Sequence, residues 1–312
     1  MASEVLANQV SRTRHPTIGF LGATTPTVWS AFVSAFENRL RKLGWINGGN
    51  VTIDYRWAEG QPDRYTELAE DFVRDDVNVI VTSGTLPVTA VMDVTSEIPI
   101  VFAAAGGLGP SKMQSPKHKV FGVLNGQTEM NVAAERLGEF RKALPNLETV
   151  ILMGNANSAN VALEMDAIEK AHESKIKVSR LEINAQDDII ERLDTPAFDG
   201  RERRGLGLYV CTDPLMTTHA VRINTLAISK QLPTMHAFRE YVETGGLMSY
   251  GPDFRAMFRN AAHLVDEILR GGRPTDKQEL AEGFELVINC TTERALGLKI
   301  AEDSRKRAKL IG

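Results

Sequence analysis

The chain has 312 residues, which is enough for two lobes of ordinary domain size. Hydrophobic residues make up 43% of it and charged residues 24%, proportions that are typical of a globular protein with a buried core. A net charge of −4 gives no reason to expect binding to nucleic acid or to an anionic membrane, and no apolar run reaches the roughly 18 residues of a membrane span.

The first half of the chain alternates strand-like and helical patterns after a polar start, residues 1–15, that is predicted to be a disordered arm. Apolar runs predict buried strands at 17–23, 51–57, 77–82 and 98–102. Between them, apolar residues recur at helical spacing, for example from Trp29 to Leu43. This alternation predicts a parallel sheet with helices on both of its faces.

The second half repeats this plan after an irregular loop at 103–118 and an extended stretch at 120–124. Predicted helices lie at 128–143, 158–172, 187–194, 214–230, 253–270 and 291–298. Predicted strands lie at 148–153, 176–183, 206–210, 232–235 and 284–289. The charged residues from Lys299 onward are predicted to be frayed.

The stretch 233–252 is the most informative part of the chain. It contains a strand end, a short polar and aromatic helix, the pair Gly245-Gly246 and a second extended piece. Glycine takes the left-handed conformation that ends a helix without a steric penalty. This order predicts a segment that leaves one lobe and enters another.

The run from Phe238 to Gly251, Phe-Arg-Glu-Tyr-Val-Glu-Thr-Gly-Gly-Leu-Met-Ser-Tyr-Gly, resembles a signature, EFREFVEAGGLMSYG, of one family of ABC-transporter substrate-binding proteins. That family includes bacterial tryptophan- and tyrosine-binding lipoproteins. The resemblance extends from Ile18 to about Gly297, with further matches at 18–21, 51–60, 98–102, 212–214 and 284–289.

The resemblance implies a type I periplasmic-binding-protein fold, an α/β architecture with two doubly wound parallel-sheet lobes joined by a three-segment hinge. The extended stretches available as crossings are 120–124, 247–251 and 284–289. The N-terminal lobe would then comprise 16–124 and 252–283, and the C-terminal lobe 125–251 and 284–312.

Residues that follow the predicted strands are candidates for ligand binding, because the carboxyl ends of the strands in both lobes of such a fold face one cleft. The candidates are small hydroxyls, amides, one carboxylate and one aromatic ring, an inventory that suits a small polar molecule. They are Thr24, Thr25, Ser83, Gly84, Thr85, Ala104, Ala105, Asn155, Asp213, His236 and Phe238.

Each candidate also has a structural interpretation. Ser83-Gly84-Thr85 lies at a helix N-terminus, which is either an ordinary cap or a site for a ligand carboxylate. Asp213 precedes Pro214 and either caps a helix or accepts a ligand ammonium. Phe238 is either a core aromatic or a stacking surface for a flat ligand, and Arg239 is predicted to pair with Glu240 or Glu243.

One loop departs from the family pattern. Relatives usually carry an acidic turn soon after the fourth strand, and this chain has Gly-Gly-Leu-Gly-Pro at 106–110. Any ligand contact made by that turn is therefore in doubt, and with it the transfer of specificity for aromatic amino acids. An aromatic or branched amino acid is the first expectation for the ligand, and a small aromatic carboxylate is the second.

No motif for catalysis, metal binding or nucleotide binding occurs, so we predict a binding protein that is not an enzyme and needs no cofactor. The two cysteines, Cys211 and Cys290, are predicted to be buried free thiols, although a bond between them stays open. The expected partners are a small-molecule ligand and the permease of an ABC importer, with no nucleic acid and a monomeric state. A sensor or receptor domain without a transport role is the alternative.

The expected location is the periplasm. Residues 1–15 lack the apolar core of a secretory signal, whereas relatives are usually exported or lipid-anchored. Either the signal has been removed from this sequence or the start of the chain is unusual, and we expect removal.

Overall fold

The chain builds two sheets. In the computed structural model, the residues that are described are 15–105, 119–124, 129–172, 176–195, 205–274 and 284–312. The predicted arm, but for His15, and the turn at 106–110 lie outside them.

The first sheet contains the first five strands, β1 (Thr17–Gly22), β2 (Thr52–Trp57), β3 (Val79–Thr82), β4 (Ile100–Ala105) and β5 (Val120–Leu124). Their order is β2-β1-β3-β4-β5, and every pairing is parallel. The connecting helices are α1 (Pro26–Lys42), α2 (Arg64–Arg74) and α3 (Thr85–Val94). The apolar residues of β1, β3 and β4 are almost fully buried, as expected for parallel strands covered on both faces.

The second sheet contains seven strands, β6 (Thr149–Asn155), β7 (Lys177–Ile183), β8 (Leu206–Val210), β9 (Thr234–His236), β10 (Met248–Pro252), β11 (Phe284–Asn289) and β12 (Lys309–Ile311). Their order is β12-β11-β10-β9-β8-β6-β7. Alternate residues of β6 bury in different clusters: Val150 and Leu152 in one, Ile151 and Met153 in the other. Both faces of this sheet are therefore covered.

The helices of the second half are α4 (Glu129–Ala143), α5 (Ala159–His172), α6 (Asp188–Leu193), α7 (Pro214–Thr218), α8 (Ala220–Ser229), α9 (Arg239–Glu243), α10 (Phe254–Leu269), α11 (Cys290–Ala295) and α12 (Glu302–Arg307). α10 returns to the first sheet, where Phe258 and Val265 join its core. The chain thus passes between the sheets three times, after β5, after β10 and after α10. The two α/β lobes match the predicted fold class, and their residue-level boundaries stay a prediction.

The second sheet is not wholly parallel, contrary to expectation. β11 runs antiparallel to β10, with Met248 opposite Ile288 and Pro252 opposite Phe284. The reason is topological: β10 leaves the second sheet toward α10, and β11 returns from it beside β10, so the two strands run in opposite directions.

Two further predictions need correction. The helix expected at 214–230 is interrupted at His219, where the Thr217 and Thr218 hydroxyls donate to carbonyls four residues earlier and compete with regular helix bonding. The tail after Lys299 is not frayed. Ile300 and Ser304 are each 1% exposed, and β12 pairs with β11, so burial and sheet pairing outweigh the charge of this segment.

Gly251 occupies a tight position beside the crossing after β10. A β-carbon there would overlap the carbonyl oxygen of Ala237. Replacing Gly251 with alanine is therefore expected to lower the free energy of unfolding by about 3 kcal/mol, which thermal unfolding followed by circular dichroism will detect. Gly138→Ala is the control: it lies inside α4 with nothing within 4 Å of the added carbon, so it should stabilise the protein. An unchanged melting temperature for the Gly251 variant would contradict this packing.

Candidate functional site

A cavity of about 350 Å³ lies between the two lobes, at the carboxyl ends of their strands. Its walls come from α1, the end of β4 and the loops after β1 and β3 on one side, and from α7, α8 and α9 on the other. The polar and aromatic side chains around it include Thr24, Trp29, Phe32, Tyr65, Thr212, Asp213, Phe238, Glu240, Tyr241, Glu243 and Phe254. The predicted cleft is therefore present as a cavity that both lobes line.

The first lobe lines the cavity with six of its seven predicted residues: Thr24, Ser83, Gly84, Thr85, Ala104 and Ala105. Gly84, with φ of 95°, is the N-cap of α3 and has no side chain with which to cap this helix end. The amide of Gly84 and the hydroxyl of Ser83 both donate to the carbonyl of Ala104, at 2.6 and 3.2 Å. These bonds hold the ends of β3 and β4 together and fix the start of α3 at the cavity wall.

Asp213 is a buried charged residue of the second lobe that lines the cavity. Its side chain accepts hydrogen bonds from the Leu215 amide at 2.8 Å and from Asn155 Nδ2 at 3.3 Å. Within the described parts of the chain, no lysine or arginine forms an ion pair with it, and it is only 5% exposed. Burial raises the pKa of the Asp213 carboxyl, because the charged form loses its hydration.

Three predicted residues do not line the cavity. The Thr25 hydroxyl accepts from the Val28 amide, at 3.4 Å, as the N-cap of α1. Asn155 donates a hydrogen bond from Nδ2 to the Asp213 carboxylate, at 3.3 Å. The ring of His236 is buried, with no partner for either nitrogen among the described residues, and burial lowers its pKa to about 3. His236 is therefore neutral at physiological pH.

The cavity has an aromatic wall. The ring centroids of Phe238, the N-cap of α9, and Phe254, the first residue of α10, lie 4.1 Å apart. The ring of Phe254 also contacts that of Phe32, with 5.7 Å between centroids. Trp29 and Tyr241 also line the cavity. Of these, only Phe238 was predicted. Helical spacing made Trp29 and Phe32 resemble ordinary core residues.

Tyr65 was missed as well. It lies on α2, lines the cavity and is 2% exposed, and its hydroxyl has no hydrogen-bond partner among the described residues. Burial and the nearby charge of Asp213 raise its pKa, so the hydroxyl stays protonated. Thr24 lines the same cavity, and its buried hydroxyl also has no hydrogen-bond partner among the described residues. Buried polar groups are normally paired, so both hydroxyls are candidates for polar interactions at this site.

The other carboxylates at the cavity are neutralised by ion pairs. Arg255 Nε donates to Glu240 at 3.0 Å and also pairs with Glu243. Arg239 pairs with Glu243 at 2.8 Å, as predicted. Among the described residues that line the cavity, Asp213 is therefore the carboxylate without an ion pair.

Metal-binding and membrane-spanning features are missing from the described residues. They contain no cluster of three histidine, cysteine or acidic side chains that could hold a metal ion. None of their helices is both long and apolar enough to span a membrane. Cys211 is buried and Cys290 half-buried, and both are free thiols.

Known proteins resemble the chain over most of its length. A family model described as ABC transporter substrate binding protein matches residues 27–311. A tyrosine-binding protein from Clostridioides difficile (strain R20291) is 22% identical over 281 residues, covering 89% of this chain and 79% of that protein.

Two solved structures show the same fold. A conserved domain protein from Vibrio cholerae O1 biovar El Tor superposes with a TM-score of 0.80 at 23% identity, covering 95% of this chain and 99% of the other. The ABC domain in complex with L-Trp from Streptococcus pneumonia gives a TM-score of 0.80 at 18% identity, covering 96% and 100%.

Proposed function

Because the chain belongs to the family of ABC transporter substrate-binding proteins, which bind solutes and are not enzymes, we propose that it captures an aromatic amino acid between its two lobes. The ligand's ammonium group pairs with Asp213, and its ring lies against the aromatic wall. The ligand-bound, closed protein then delivers the amino acid to the permease of an ABC importer. We place the protein outside the cytoplasmic membrane, in the periplasm, acting as a monomer.

The observation that carries this proposal is the position of Asp213 beside an aromatic wall. A buried carboxylate without a cationic partner loses its hydration energy, and a ligand ammonium restores it through a charge-assisted hydrogen bond. The phenyl and indole rings of Phe238, Phe254 and Trp29 suit a flat apolar group. One polar end and one aromatic side match the two parts of an aromatic amino acid.

Contact between the lobes supports capture by closure. Gly60, in the turn after β2, faces α7: a β-carbon built on it would lie 3.4 Å from the Thr218 hydroxyl and 3.6 Å from the Pro214 carbonyl oxygen. A ligand that touches both lobes stabilises the closed form by its differential affinity for the two states.

The test is a ligand screen by thermal shift followed by calorimetric titration. L-Tryptophan, L-tyrosine and L-phenylalanine are compared with two matched controls, tryptamine, which lacks the carboxylate, and indole-3-propionate, which lacks the ammonium group. At 100 times its Kd, a ligand adds about 2.7 kcal/mol to stability. We expect an L-amino acid to bind best and indole-3-propionate not to bind. Stronger binding of indole-3-propionate than of tryptamine would contradict the role given to Asp213.

Phe238 provides a second test. Its replacement by alanine removes one side of the Phe238–Phe254 contact, so the affinity for L-tryptophan should fall about fivefold. Calorimetric titration measures the change. Phe284→Ala is the control, since Phe284 stacks on Tyr250 away from the cavity lining and should leave affinity unchanged. If the Phe238→Ala and Phe284→Ala variants bind L-tryptophan with equal affinity, Phe238 does not contact the ligand.

A further inference from the structure

A buried polar network lies behind the cavity wall of the second lobe. Arg136 on α4 and Glu164 on α5 are 5% and 7% exposed, and Arg136 Nη1 donates to Glu164 Oε1 at 3.2 Å. The same Arg136 nitrogen donates to the Tyr209 hydroxyl at 2.6 Å, and that hydroxyl donates to Glu164 Oε1 at 2.8 Å. We refer to these three side chains as the Arg136 network.

One end of the Arg136 network holds the loop that carries Asp213. Glu164 Oε2 accepts a hydrogen bond from the backbone amide of Thr212, at 3.0 Å. Thr212 directly precedes Asp213 and lines the cavity itself. The position of the Asp213 carboxylate therefore depends on a bond that Glu164 makes from the interior.

The other end holds a strand that leads out of the lobe. Arg136 Nε donates to the carbonyl oxygen of Tyr250, at 2.7 Å, within β10. Two residues later β10 ends, and the chain enters α10, which packs on the first sheet. The Arg136 guanidinium thus connects the loop that carries Asp213, through Glu164, with the crossing between the lobes that follows β10.

Stability alone does not account for such a network. Removing two charges from water carries a large desolvation penalty, and apolar side chains of similar volume often replace a buried ion pair without loss of stability. What apolar side chains cannot do is bind the Thr212 amide and the Tyr250 carbonyl. The contribution specific to Arg136 and Glu164 is therefore that they fix the positions of the Tyr250 carbonyl and the Thr212 amide.

We propose that Arg136 and Glu164 are positioning residues that hold the Thr212–Asp213 loop in its ligand-binding geometry and connect it to the β10 crossing. The inference rests on the proposed function for its consequence on affinity, but the structural coupling is measurable without any ligand. Neither residue touches the cavity.

The test compares two double substitutions. Arg136→Met with Glu164→Leu replaces the network by apolar side chains. Arg305→Met with Glu293→Leu is the matched control, because Glu293 also pairs with an arginine and accepts a backbone amide, that of Ile300 at 3.1 Å, away from the cavity lining. Hydrogen–deuterium exchange of the ligand-free proteins is measured for peptides covering 211–217 and 248–252, and affinity for L-tryptophan is measured by calorimetry.

We expect at least tenfold faster exchange in both peptides and at least tenfold weaker binding for the first pair alone, whatever the two melting temperatures are. Unchanged exchange in either peptide would overturn the proposal, as would equal effects of the control pair. If the first pair does not fold, Tyr209→Phe removes only the bridging hydroxyl, and exchange at 211–217 should still rise about threefold; no rise would overturn the proposal. Failure of the wild-type protein to bind any aromatic amino acid would contradict the proposed function and leave the exchange result standing.

Discussion

Replacing Asp213 with asparagine is expected to weaken L-tryptophan binding at least 100-fold, with no loss of protein stability. The affinity falls because the ligand ammonium loses its counter-charge, which corresponds to about 2.7 kcal/mol of binding free energy. Stability is retained because asparagine caps helices as well as aspartate does and can accept from the Leu215 amide. Calorimetric titration and thermal unfolding measure the two effects separately.

Asp253→Asn is the matched control. Asp253 also caps a helix, accepting from the Ala256 amide at 2.9 Å, and does not line the cavity. Its substitution should leave affinity unchanged. If Asp213→Asn binds L-tryptophan as tightly as the wild type, the ligand's positive charge is not held at Asp213.

The raised pKa of Asp213 also gives the unliganded protein a pH dependence. The native state keeps this proton to a higher pH than the unfolded state does. The contribution of Asp213 to the free energy of unfolding is therefore constant below the unfolded pKa, falls as the pH rises between the two values, and stays low above the folded pKa. Asp213→Asn should remove the part of the decrease in the free energy of unfolding with pH that comes from Asp213.

Gly60→Asn is expected to weaken L-tryptophan binding at least tenfold by obstructing closure. The added β-carbon would touch Pro214 and Thr218, and the side-chain amide beyond it has to displace one lobe from the other. Binding that requires closure weakens by the fraction of molecules able to close. Titration calorimetry gives the affinity, and small-angle scattering with ligand should show a larger radius of gyration than the wild type.

Gly48→Asn separates closure from backbone strain. Gly48 and Gly60 have nearly equal φ, 78° and 77°, but a β-carbon on Gly48 meets nothing within 4 Å. Any cost of a side chain at positive φ is therefore shared by both variants. Equal affinities of the two variants would show that the Gly60 turn does not limit closure.

Much of the architecture was predictable, because apolar runs and helical spacing record burial directly. The strand at 206–210 and that at 284–289 have the predicted bounds. The direction of β11 was not predictable from its residues, since an apolar strand has the same pattern in parallel and antiparallel pairings. Resemblance to the family supplied the three crossings, and the structure shows them.

The candidate site was predictable where it depends on strand ends and not where it depends on helix orientation. Thr24, Ser83 and Asp213 follow strands and line the cavity, because the carboxyl ends of parallel strands share an edge. Tyr65 and Trp29 lie on helices, where a core residue and a cavity residue have the same spacing. Which way those helices rotate is set by packing between distant parts of the chain.

Crystals of the protein with 5-bromo-L-tryptophan test the central claim most directly, because anomalous scattering locates the bromine independently of the fitted chain. The account predicts one bromine peak beside Phe238 and Phe254, with the ligand's ammonium group within hydrogen-bond distance of Asp213 and both lobes in contact with the ligand. A peak on the outer surface, or a ligand that touches one lobe only, would contradict it.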